Sequence, residues 1–363
     1  MFRTITTRRR CRLRLRPRAR DLLRHRRGQA RRRPARAEVR RRLDRGLARA
    51  RSLVRVRARR PRARTALMRA AFSQWRANLL ELIRRTSCDL PSDVERALKG
   101  AARLARSGSP ARWVLDAVLG NVALARARGA PLCQDTGALI FHVRAPFAFD
   151  SAPVFRAIPE AVREATRAGL LRQNTIEPVS GRSCPGNIGP GSPAVHLAPE
   201  DRRDVEVRLL MKGGGSENMS AQYSLPDARL GAGRDLEGVR RCALDAVVRA
   251  QGNGCAPGVL GVCFGGDRSS GMEFAKLQLL RRLDEPASDA RLAALEKRIL
   301  RESARLGIGP MGLGGAAALL GVRIRALTRL PASCFVSVAY MCWAVRRHGA
   351  VFTAGGKLKR RLG

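Results

Sequence analysis

The sequence predicts an α+β fold, a single mixed domain following a long, disordered basic arm. Three observations lead there. The first 64 residues hold 28 arginines against Asp21, Glu38 and Asp44. From Met68 onward, apolar residues recur at helical spacing. Between those helices lie short apolar runs of strand length, several of them bounded by glycine-rich polar turns, and no segment repeats.

At 363 residues the chain is long enough for a sizeable core. More than half of its net charge of +43 sits in the arm. With almost no aromatic residue, the arm cannot bury enough apolar surface to offset its ordering entropy. It suits RNA, DNA or acidic lipid binding; for a transit peptide it is serine-poor and too long. The plainest origin is upstream sequence translated from a misplaced start, with residues 1–67 as the arm and the protein beginning at Met68. The domain is then expected over 68–356, with a basic tail at 357–363.

Phe72, Trp75, Leu79, Leu80 and Ile83 mark a helix over Ala70–Arg85. Ser92-Asp93-Val94-Glu95 reads as a capping box opening a second helix to about Ala105. A third, Ala111–Arg128, delivers the chain to Cys133, with a strand at Ala138–Val143 after it. Ser180–Pro193 is rich in Gly, Pro, Asn and Ser, too long for an idle connection. A strand over Val205–Met211 runs into the turn Gly213-Gly214-Gly215. A helix over Glu237–Ala250 places Cys255 in the turn before the strand Gly258–Phe264. Helices at Gly271–Arg282 and Asp289–Arg305 follow. Strands at Ala317–Leu327 and Cys334–Tyr340 complete the domain, the second leading into Cys342.

No signal peptide and no run of about twenty apolar residues is present, which argues against secretion and membrane spanning. Nine cysteines at uneven positions fit a reducing cytoplasm. Widely spaced cysteines are ordinarily small core residues, and Cys242, Cys263 and Cys334 are read that way. Cys133, Cys255 and Cys342 differ, each lying in a polar turn at an element end. Three thiolates brought together can hold three irons of a cubane cluster and leave the fourth open.

Other motifs weigh less by themselves. Asp135, beside a turn glycine, reads as an Asx-turn former. Arg172 offers a guanidinium fork suited to a carboxylate. The glycines of Lys212–Asn218 let backbone N–H groups approach an anion, without the residue order of a P-loop. Gly307–Gly312 matches GxGxxG, but it follows a charged helix and Pro310 removes a donor, so no nucleotide site is expected there.

Four motifs in order carry a resemblance: Cys133-Gln-Asp-Thr-Gly137, Met211-Lys-Gly-Gly-Gly-Ser-Glu-Asn218, Ile308-Gly-Pro-Met-Gly-Leu-Gly-Gly315 and Cys342-Trp-Ala-Val-Arg-Arg347. Together they resemble the iron-sulfur hydro-lyases, class I fumarases and L-tartrate dehydratases. The resemblance is to their catalytic alpha subunit or N-terminal domain, and it covers about Phe72 to Phe352. It implies the alpha-type catalytic fold and a [4Fe-4S] cluster held by Cys133, Cys255 and Cys342. It also implies a proton-transfer role for Asp135. Gln134, Arg172 and the backbone of Gly214 or Gly215 would bind substrate, in a pocket shaped by Asn187–Ser192 and Ser216–Asn218. Fumarate hydration to L-malate is the first expectation and L-tartrate dehydration the second, since Ser216–Ser220 and Gly189–Pro193 look closer to fumarase alpha subunits. A beta subunit or C-terminal domain would supply the catalytic base, within a higher oligomer of alpha-beta units.

One departure stands out. Where many members have a histidine in an Arg-His-Pro context, this chain reads Arg329-Leu330-Pro331. His196 and His348 do not replace it by position, and His142 lies in an alternating strand, where a structural role is expected. Cys184, in the long loop, is the rival ligand. Two other readings stay open: a nucleic-acid-binding protein using the arm, and a noncatalytic subunit.

Overall fold

The computed structural model describes residues 69–363, and the arm read from residues 1–67 lies outside them. Helices α1 (69–88), α2 (Ser92–Leu104) and α3 (Pro110–Arg128) open the described chain. Strand β1 (Ala138–Pro146), helix α4 (Ala152–Arg167) and strands β2 (Ala194–Glu200) and β3 (Val205–Lys212) follow. Next come α5 (Gly214–Asn218), β4 (Ala221–Ser224), α6 (Leu236–Ala250), β5 (Gly258–Phe264), α7 (Arg268–Gln278) and α8 (Ala290–Ala304). Strands β6 (Leu319–Ala326), β7 (Phe335–Met341), β8 (Arg346–Phe352) and β9 (Leu358–Leu362) finish it.

The strands form two mixed sheets, ordered β2-β1-β3-β8-β9 and β4-β7-β5-β6. Alternation along each strand decides what its faces meet. Leu139, Phe141 and Val143 of β1 and Val207, Leu209 and Met211 of β3 pack with α1 and α4. Ile140 and Leu210 point the other way, into a core shared with α2, α3 and α7. Val259, Cys263, Ala339 and Met341 of the second sheet join that same core. The second sheet's other face is covered by α6 and α8. Helices therefore sit between the sheets and on both outer faces, the mixed α+β architecture expected.

The structure departs from expectation in several places. Ser92 does not cap α2; Pro91 holds the N-cap position with no side-chain bond. Asp93 turns inward instead, where its Oδ2 accepts from Leu283 N at 2.7 Å and from Arg347 Nη2. A buried guanidinium 254 residues away outcompetes local capping. The true capping box is Asp267 with Ser270, and it starts α7 earlier than the apolar pattern suggested. The triple-glycine turn continues into α5. Helix α4 and strands β2, β4, β8 and β9 went unread, and the tail 357–363 carries β9, paired with β8. Cys334 lies just before β7, buried as expected.

Candidate active site

Asp135 is the meeting point of three loops. Its Oδ1 accepts from Gly137 N at 2.9 Å and from Asn174 Nδ2 at 3.3 Å, and its Oδ2 accepts from Gly214 N at 2.7 Å. The first bond is the Asx turn read from sequence; the other two tie it to distant segments. Gly137 is required here, because its φ is +71° and a Cβ would fall 2.3 Å from Lys212 O.

The Arg172 segment is fastened beside Asp135. Thr136 Oγ1 donates to Arg172 O at 2.9 Å and accepts from Arg172 N at 2.7 Å. Buried Asn187, held at φ 60°, accepts at Oδ1 from Asn174 N (3.0 Å) and Thr175 N (3.1 Å). Its Nδ2 donates to Arg172 O and to Thr166 Oγ1, each at 3.0 Å. The long loop thus works as a clamp on residues 172–175. The Arg172 side chain itself is exposed, with Nη1 3.4 Å from Gln134 Oε1.

The three cysteine turns converge on the same place. Cys133 Sγ accepts from Asp135 N at 3.4 Å. Trp343 N donates to Cys255 O at 3.2 Å, joining the Cys255 turn to the residue after Cys342. Exposed Cys255 has φ 52°, a left-handed conformation uncommon outside glycine, asparagine and aspartate. The turn is held there by two contacts. Met311 N donates to Ala256 O at 3.0 Å, and Gly254 lies flat on the Tyr340 ring, where a Cβ would sit 2.4 Å from Cε1. The Gly307–Gly312 motif is therefore a buttress for the Cys255 turn.

The thiols lie within electrostatic reach of one another. Burial, then the charges of Cys133 and Asp135, push the Cys255 thiol up. Burial pushes Cys342 up to about 11, with Arg346 opposing and Cys255 and Cys133 adding to the rise. Cys242, pushed up to about 12 chiefly by burial, and Cys263, up to about 11, belong to the cores. Cys184 Sγ packs 3.3 Å from the position a Gly189 Cβ would take, and the charges acting on Cys255 do not include it. All eight cysteines of the described residues are free.

Two buried cations flank the site, and neither was singled out from sequence. Lys212 Nζ lies 2.8 Å from Glu217 Oε2 but off the hydrogen-bonding direction, and burial lowers its pKa against the pull of Glu217. Burial works to raise the Glu217 pKa, yet Lys212 and Lys276 outweigh it and hold the carboxyl low. Arg346, fully buried, leaves Nε and Nη1 without partners. Its Nη2 lies 3.8 Å from where a Gly213 Cβ would be, on the Asp135 side. The Cys-Trp-Ala-Val-Arg-Arg motif was the available signal for Arg346.

Among the described residues, no three His, Cys, Asp or Glu side chains close on a single metal ion. A cubane cluster asks for a different arrangement, one thiolate on each of three irons. Three cysteines in mutual electrostatic reach, beside a guanidinium with orphaned donors, fit that demand. The larger of two described cavities, about 730 Å³ between α2, α3 and α8, lies elsewhere and is mostly apolar.

The fumarate hydratase (Fumerase) family profile matches residues 76–351, three-quarters of the sequence and every loop described above. The chain belongs to this family of hydro-lyases. A candidate class I fumarate hydratase of Geobacillus stearothermophilus is 42% identical over 275 residues, 75% of this chain and 54% of that protein. A candidate L(+)-tartrate dehydratase subunit alpha of Methanocaldococcus jannaschii is 34% identical over 74% of this chain and 94% of its own length. The L(+)-tartrate dehydratase subunit alpha of Escherichia coli K12 is 30% identical, over 72% and 85% respectively. The chain thus spans about half of the fumarase-type relative and most of the alpha subunits.

In this fumarase-family chain Leu330, the departure noted in the sequence, lies in the segment before β7. Leu330 is exposed and precedes β7, whereas Cys342 follows it. At about 3.3 Å per residue, the strand itself spans roughly 20 Å. No described helix is long and apolar enough to cross a membrane.

Proposed function

We propose that this chain is the catalytic alpha subunit of a hydro-lyase that reversibly adds water to the C=C bond of fumarate, giving L-malate. One observation carries the reading: the turns of Cys133, Cys255 and Cys342 share one place with Asp135 and Arg346. Cys133, Cys255 and Cys342 would hold a [4Fe-4S] cluster, whose open iron supplies Lewis acidity toward a substrate hydroxyl. Ligation requires each thiol to give up its proton, and Arg346 favours that loss at Cys342.

The chain's own groups then divide the work. Arg172, oriented by Gln134 and pinned through Thr136, holds one substrate carboxylate with its guanidinium fork. Gly214 spends its N–H on Asp135, which leaves Gly215, beside open space, as the backbone contact to substrate. Asp135 carries the proton. Gly137 N and Asn174 Nδ2 fill Oδ1 whereas Gly214 N alone occupies Oδ2, so Oδ2 keeps a lone pair for that proton. Arg346 stabilises negative charge that develops as the adjacent carbon gains or loses a proton.

Gln134, Arg172, Cys255, Gly214 and Gly215 are all exposed, so the site is an open face. A beta subunit covering that face would provide the opposing catalytic base and exclude water, within a larger alpha-beta oligomer. The free thiols suit a reducing cytoplasm. L-tartrate dehydration is the second reading, favoured by the alpha subunits of which this chain covers 94% and 85%. Anaerobic assays of the chain, with and without a coexpressed beta subunit, test the proposal against both substrates. Fumarate hydration that appears only with the partner is expected; full activity of the lone chain, or turnover of neither substrate by the pair, would overturn it.

A further inference from the structure

Strand β8 places two consecutive arginines in different surroundings. Arg346 serves the cysteine site, whereas Arg347 lines a separate cavity of about 250 Å³. Arg208, Arg282, Arg361 and His348 line it too, with Glu285 and the last residue, Gly363, also in its wall. Nearby carboxylates take only part of this donor capacity. Asp93 engages Arg347 through Nη2, Glu206 engages Arg208 at 2.7 Å, Asp284 engages Arg282 at 2.8 Å, and Glu81 stands 3.9 Å from Arg361. Arg208 Nη1 donates to the carbonyl of Leu280, and Arg282 Nη1 to an oxygen of Gly363, the last residue.

Two polar groups here are more than nine-tenths buried and without partners: Arg347 Nε and His348 Nδ1. Leaving a buried donor unmatched costs about 1–3 kcal/mol, more when it is charged. Arg208 and Arg282 both bear on Arg347 as like charges, against the stronger pull of Asp93. We infer that this cavity is a binding site for a small oxyanion, either a phosphoryl group or a compact dicarboxylate, distinct from the cysteine site. Guanidinium forks around a space of this size match the paired oxygens of either. Because Arg346 and Arg347 are neighbours on one strand, an anion bound behind β8 sits one residue from a group facing the cysteines.

Calorimetric titration of the full chain with inorganic phosphate, at constant ionic strength, tests this. The half-exposed Arg208 and Arg361 are the positions to change, since Arg347 is locked in a buried pair. Saturable binding is expected, weakened at least about tenfold in Arg208→Met or Arg361→Met, which remain folded by circular dichroism; the basic arm's background is common to all three proteins. Displacement by succinate would point to a dicarboxylate, and its failure to displace to a phosphoryl group. Equal affinity in the native chain and both variants, or no saturable binding, would overturn the inference.

Discussion

Asp135 Oδ2 accepts a hydrogen bond from Gly214 N at 2.7 Å, joining the first cysteine motif to the glycine motif 79 residues later. The contact exists because Gly137 lets β1 start against Lys212, the strand end that delivers Gly213 and Gly214. Gly137→Ala combines a left-handed backbone with a Cβ overlapping Lys212 O. It should lower stability by about 1–3 kcal/mol or more. Gly215→Ala meets nothing within 4 Å and should leave stability near native. Denaturant titration of both variants checks this, and equal stability would show that the close approach does not matter.

The Asp93–Arg347 pair supports a second prediction. Both side chains are buried, and Asp93 also accepts from Leu283 N. Asp93→Asn leaves an uncompensated guanidinium, at a cost of about 3–5 kcal/mol. The measurement is the urea midpoint, and a loss below about 1 kcal/mol would mean that Arg347 finds other partners.

Acid should destabilise the domain through two histidines. Burial, then His196 and Arg208, lowers His142 from 6.5 to about 4. Burial, then Arg85, lowers His348 from 6.5 to about 4. A folded-state pKa below the unfolded value means that the unfolded chain binds more protons at intermediate pH. This contribution is complete above pH 6.5 and is lost as pH falls toward 4. Unfolding free energy should therefore fall over that window, and less steeply in His142→Gln. An unchanged slope would assign the acid limb to other groups.

Much of this arrangement was legible in the sequence because local pattern carried it. Strand β5 matches its expected bounds, and all three cysteine turns fall at element ends. What escaped was decided by distant partners. Strand β8 begins Arg-Arg-His, which reads as surface, yet β3 and β9 flank it and Asp93 neutralises Arg347. Helix α4 holds Pro159 within it, which hid the buried stripe Val154, Ile158, Ala161 and Val162. Asn187 reads as loop composition, and only the fold reveals it gripping residues 172–175. Arg346 lay inside a recognised motif, but its role depends on Gly213 and Cys342 being brought beside it.

Iron and sulfide content after anaerobic reconstitution tests the central claim most directly. About four irons per chain are expected, with the brown absorbance of a cubane cluster. Cys133→Ala, Cys255→Ala and Cys342→Ala should each abolish both, while Cys184→Ala, Cys242→Ala and Cys263→Ala keep them. A full iron complement in any of the first three, or its loss in Cys184→Ala, would contradict the assignment.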